Sequence, residues 1–69
     1  MSVYYLTLDY QDYEYPKTLH VAKEMGKQIA HHGVVRIEAY SGTKRGGGGN
    51  LLYTLIFNNK QMKFIKELT

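Results

Sequence analysis

Residues 16–40 read PKTLHVAKEMGKQIAHHGVVRIEAY, and this stretch decides the fold. From Lys17 to His32, the residues Leu19, Ala22, Met25, Ile29 and Ala30 recur at spacings of three and four, which lines one side of a helix with apolar groups. Pro16 suits the first helical turn, where a missing N–H costs nothing. Gly33 reads as a left-handed stop at the other end. The period then drops to two. Over Val34 to Tyr40, the apolar Val35, Ile37 and Ala39 alternate with Arg36 and Glu38, the pattern of a strand with one buried face. Gly26 costs up to about 1 kcal/mol relative to alanine inside a helix, so its presence implies a close approach of helix to sheet.

Working outward, Ser2 to Tyr10 reads as a first strand, rich in β-branched and aromatic residues, with Leu6 and Leu8 toward the core. Gln11 to Tyr15 reads as a polar connection. Core packing accounts for Tyr4 or Tyr10. Beyond residue 40, Ser41 to Asn50 forms a loop, and Leu51 to Phe57 is the most apolar strand, expected at the centre of the sheet. Asn58-Asn59 reads as a two-residue turn that tolerates positive φ. A last strand from Lys60 to about Lys66 then points Met62 and Phe64 inward. The expected architecture is α+β in the order β-α-β-β-β: one domain over residues 1–69, a curved and largely antiparallel sheet of about four strands, and one helix on one face.

Composition agrees. The 69 residues are 43% hydrophobic, 13% aromatic and 22% charged, enough to fold and ordinary for a soluble chain. There is no cysteine, so disulfides and thiolate metal sites are excluded and a cytosolic setting is expected. No apolar run approaches the ~20 residues that span a bilayer, and the N-terminus has no basic segment followed by a long apolar one. Neither a membrane span nor a signal peptide is expected.

Catalytic signatures are missing. Ser2 and Ser41 are the only serines and neither sits in a nucleophile-elbow pattern. His31 and His32 are neighbours, which on a helix point about 100° apart. No carboxylate–histidine spacing of a metal site occurs. The chain reads as a non-enzyme with no cofactor, no metal and no small-molecule substrate. The glycine-rich run 46–49 follows Lys44 and Arg45 and precedes a strand, whereas a phosphate-binding loop has Gly-Lys-Ser/Thr before a helix. That leaves a flexible hairpin connection, or a basic finger whose Lys44 and Arg45 touch phosphate or an acidic surface.

Charge is what remains to carry function. Residues 1–15 hold Asp9, Asp12 and Glu14 and no Lys or Arg, a balance of −3. Residues 16–69 hold nine Lys/Arg against three Glu, a balance of +6. His20, Lys23, Lys27 and His31 recur at spacings of three and four on the polar side of the helix. They read either as a solvated face with ordinary Glu24–Lys27 pairing or as a cationic stripe fitted to an acidic groove or a nucleic-acid backbone. Lys60, Lys63 and Lys66 extend that stripe or protect an edge strand from aggregation. Tyr13 and Tyr15, between acids in the connection, are candidate partner contacts, tyrosine being enriched in interfaces.

The helix with spaced basic residues, then His32-Gly33 and the strand Val34-Val35-Arg36-Ile37-Glu38, followed by a strand pair and Asn58-Asn59-Lys60, resembles the ninth type I-F anti-CRISPR family of small phage proteins. The resemblance is firmest over about residues 20–40. It departs at the tetraglycine loop, at the tyrosine-rich start, and where Phe or Met stands for the family's Trp in the last strand. The resemblance implies an inhibitor in the bacterial host cytoplasm that binds backbone subunits of a type I CRISPR RNA-guided surveillance complex. It implies Lys23 and Lys27 as contacts, an effect on target-DNA engagement with direct DNA contact as an extension, and a monomer or weak homodimer. The other reading is a small basic nucleic-acid-binding module.

Overall fold

The computed structural model describes residues 2–42 and 49–67. Five strands, all antiparallel to their neighbours, form one sheet: β1 (Ser2–Leu8), β2 (Gln11–Glu14), β3 (Val35–Ser41), β4 (Leu51–Asn58) and β5 (Lys63–Glu67), in the spatial order β2-β1-β3-β4-β5. One helix, α1 (Leu19–Ile29), continues into a 3-10 turn at Ala30–His32. The α+β architecture stands, with five strands rather than four.

The additional strand is β2, in the segment expected to be a connection. Asp9 and Tyr10, at φ 51° and 68°, form the two central residues of a tight hairpin turn, so β1 ends at Leu8 rather than Tyr10. A left-handed backbone at a tyrosine costs about 1–2 kcal/mol. The Arg36 guanidinium, 5.2 Å from the centre of the Tyr10 ring, recovers part of it. Because the hairpin reverses the chain first, α1 delivers β3 antiparallel to β1, where a simple β-α-β crossover would place it parallel.

The helix is shorter than its apolar period. Thr18 caps it, its hydroxyl accepting from the Val21 N–H at 3.1 Å, and Pro16 lies before the helix rather than in its first turn. Ala22, Gly26 and Ala30, four apart, are its buried residues and let it lie close on the sheet. At Gly26 a Cβ would come within 2.7 Å of Phe64 Cζ and 3.1 Å of Val35 Cγ1, the close approach that the helical glycine implied. Below α1, Leu6, Ile37 and Leu55 sit side by side across β1, β3 and β4. They form the floor of the core with Val35 and Phe57, and the Phe57 ring meets Phe64 edge-on at 5.0 Å.

Gly33 is not a left-handed stop. Its φ of 163° is extended backbone, and a glycine is needed there for space. A Cβ would stand 2.5 Å from both carboxylate oxygens of Asp9. That carboxylate accepts from the Val34 N–H at 2.9 Å, while the Asp9 N–H donates to Val34 O at 2.8 Å. The start of β3 is thereby tied to the β1–β2 turn. Gly33→Ala is expected to cost about 1–2 kcal/mol, the size of a charge-assisted hydrogen bond in an exposed setting. In an Asp9→Ala background the same change is expected to cost much less, and a double-mutant cycle by urea denaturation measures the difference.

Three further expectations at the C-terminal end are corrected. The middle strand is β3, with the more apolar β4 one place off centre. The β4–β5 connection is a four-residue turn over 59–62 instead of Asn58-Asn59. Asn58 Oδ1 accepts from the N–H groups of Lys60 and Gln61, both at 2.9 Å, and Met62 N–H donates to Asn58 O at 2.7 Å. Met62, expected inward, occupies the left-handed position at φ 56° and is exposed, whereas Phe64 does pack on the core. Across the 41–50 loop, Ser41 N–H donates to Asn50 O at 2.9 Å, closing its base. Lys44 and Arg45 lie outside the described residues.

Candidate partner-binding surface

α1 fixes the first group of candidates. At about 100° per residue, Lys23, Lys27 and His20 fall within an arc of roughly 60°, next to the flank that Ala22 and Gly26 press on the sheet. His31 follows in the 3-10 turn. His20, Lys27 and His31 are exposed and Lys23 is half-buried, at the border between core and solvent. The Lys27 ammonium lies 3.6 Å from Glu24 Oε2 with both side chains 54% exposed. A pair so open to water holds about 0–1 kcal/mol, so a partner's anion displaces Glu24 at little cost. Among the described residues no carboxylate lies within ion-pair distance of Lys23. The 3-10 turn brings the His31 and His32 rings together, centres 4.0 Å apart, where a regular helix would splay them. Lys27 stands in the last turn of α1, where the helix dipole favours a cation.

The C-terminal lysines do not extend this flank as one stripe. Lys60 sits in the β4–β5 turn. Lys63 and Lys66 point to opposite sides of β5, being an odd number of residues apart. Lys66 shares the side of Phe64, with its ammonium 5.0 Å from the centre of the Tyr53 ring. Burial raises the Tyr53 pKa, and the neighbouring Tyr4 hydroxyl adds to it, so this phenol stays neutral over the physiological range.

No family model, curated protein or solved structure matches this chain.

The sheet face away from α1 carries a cluster that residue-by-residue reading missed. The Tyr5 ring is met edge-on by Tyr15 and by Tyr40, each at 5.4 Å. Tyr40 donates to Glu38 Oε1 at 3.0 Å, and Arg36 reaches across β4 to Glu67 Oε1 at 3.3 Å. Pairing β1 with β3 puts Tyr5 beside Glu38 and Thr7 beside Arg36. The signal was present in the alternation of both strands, since whatever opposes Leu6 and Ile37 must share the other face. Tyr15 therefore lies against Tyr5 while remaining 63% exposed, and Tyr13 belongs to β2 rather than to a loop. Tyr4 packs against the core, whereas Tyr10 is exposed. Between β4 and β5 an open hollow of about 330 Å³ is lined by Ile56, Phe57, Asn58, Ile65, Lys66 and Glu67.

No helix is long and apolar enough to cross a membrane among the described residues, nor do any three or more His, Asp or Glu side chains there form a group that could hold a metal ion.

Proposed function

We propose that this chain is a stoichiometric inhibitor of the phage anti-CRISPR kind, which binds the backbone subunits of a type I surveillance complex in the bacterial cytoplasm and perturbs or blocks target-DNA recognition. One observation carries the reading: His20, Lys23 and Lys27 share a single flank of α1, and the adjoining flank is held on the sheet through Ala22 and Gly26. The two lysine ammonium groups, mounted on a packed helix, keep their spacing without a large entropic cost on binding. The resemblance over residues 20–40 supplies the target. Occupying a surface that handles nucleic acid suffices for inhibition, so the reading requires no catalytic group.

The test is an affinity pull-down with the tagged chain from a lysate containing a type I complex, paired with a free-duplex binding assay over a range of salt. Recovery of backbone subunits, with loss of target-DNA binding by the complex, is the expected result. Failure to recover the complex, together with duplex binding that falls steeply as salt rises, would replace this reading with that of a basic nucleic-acid-binding module.

A further inference from the structure

The two edges of the sheet offer the same backbone chemistry and opposite charge. At one edge stands β2, all four of its residues exposed, with no strand on its outer side among the described residues. It holds Asp12 and Glu14, and Tyr10, Tyr13 and Tyr15 around them are 71%, 49% and 63% exposed. At the other edge, β5 presents Lys63 and Lys66, with Lys60 in the turn before it. An unpaired strand edge accepts another strand through main-chain hydrogen bonds whatever its sequence, so side-chain charge decides which strand each edge takes.

We propose that the outer edge of β2 receives an extended, arginine- or lysine-bearing segment of a partner protein as a sixth strand. The register shift in the β1–β2 pair places Asp12 beside Thr7, on the open side of the sheet, and Glu14 beside Leu6, on the helix side. Cations on both faces of an incoming strand therefore meet a carboxylate. The exposed tyrosine rings add apolar contact and negative π-faces. Among the described residues this pairing already occurs with Arg36 over Tyr10 and Lys66 over Tyr53. A chain of net charge +3 repels a cationic segment in general, which confines the attraction to the acidic edge. A nucleic acid is disfavoured at the same place by Asp12 and Glu14. This surface is separate from the α1 flank, and the inference does not rest on the function proposed for that flank.

The test is an NMR titration of the intact chain with a short synthetic peptide of alternating Arg-Arg and Val-Val pairs, which puts arginine on both faces of a strand, compared with the same peptide carrying Glu in place of Arg. The Arg peptide is expected to shift the amides of Gln11 to Glu14, to slow hydrogen exchange there, and to bind about tenfold more tightly than the Glu peptide. Tyr13→Ala combined with Glu14→Gln, checked for an unchanged melting temperature, is expected to lose about tenfold in affinity for the Arg peptide. Shifts confined to α1 or β5, equal affinity for the two peptides, or unaltered binding by the variant would overturn the proposal. So would concentration-dependent self-association abolished by Lys63→Glu, which would assign the acidic edge to the basic edge of a second copy.

Discussion

Ile37→Ala is expected to remove about 2–5 kcal/mol of stability, the range for truncating a fully buried aliphatic side chain. A chain of 69 residues has roughly 3–10 kcal/mol in total at about 0.05–0.15 kcal/mol per residue, so the substitution removes about half of its stability. The effect is large because Ile37 is fully buried on the middle strand, between Leu6 and Leu55 in register. The buried positions of the helical segment are Ala22, Gly26 and Ala30, which have a methyl group or no side chain with which to fill the space left behind, so part of the cavity persists. Urea denaturation followed by circular dichroism checks this: the midpoint falls steeply while the slope stays that of the parent. A loss below 1 kcal/mol would mean that the core is not centred on β3.

The parts of the fold that were legible in the sequence are those where burial is periodic. Leu19, Ala22, Met25 and Ile29 mark the packed side of α1, and Val35, Ile37 and Ala39 mark that of β3, because one-sided burial imposes the period directly. β2 was not legible for the converse reason. With every side chain exposed it has no apolar period, and it is placed by its pairing with β1. Its turn was equally hidden, since Asp9-Tyr10 lacks the glycine or asparagine that usually marks positive φ. Gly33 stands out in the sequence as a special position, but its reason is the Asp9 carboxylate 24 residues earlier, a contact no local rule contains. Met62 breaks the strand period read backward from Phe64, because Asn58 organises the intervening residues into a turn with its own side chain.

The candidate surface divides in the same way. Spacing along α1 is enough to bring His20, Lys23 and Lys27 to one flank, because a helix converts sequence separation into angle by a fixed rule. The tyrosine cluster of Tyr5, Tyr15 and Tyr40 needed strand order, which pattern reading does not supply: Tyr5 and Tyr40 come together only because β1 pairs with β3. The outcome is a molecule with differing sides, a basic helix flank and an acidic, aromatic strand edge.

The second large effect concerns the basic flank. Lys23→Glu with Lys27→Glu changes the local charge by four units on a support that α1 keeps rigid. At an interface fitted to cations, each reversal replaces attraction by like-sign repulsion. Together they are expected to weaken partner binding by about a hundredfold, close to 3 kcal/mol. Stability should fall by only about 1–2 kcal/mol, from losing the half-exposed Lys27–Glu24 pair, setting like charges three and four residues apart, and placing an anion in the last helical turn.

Everything functional here depends on Lys23 and Lys27 meeting a partner from one side of a fixed helix. The direct measurement is a binding titration of purified type I surveillance complex with the parent chain and the doubly reversed variant, both confirmed folded. A hundredfold loss of affinity at a temperature where both proteins remain fully folded is the predicted result. Equal affinity of the two proteins would show that the complex is not engaged through this flank.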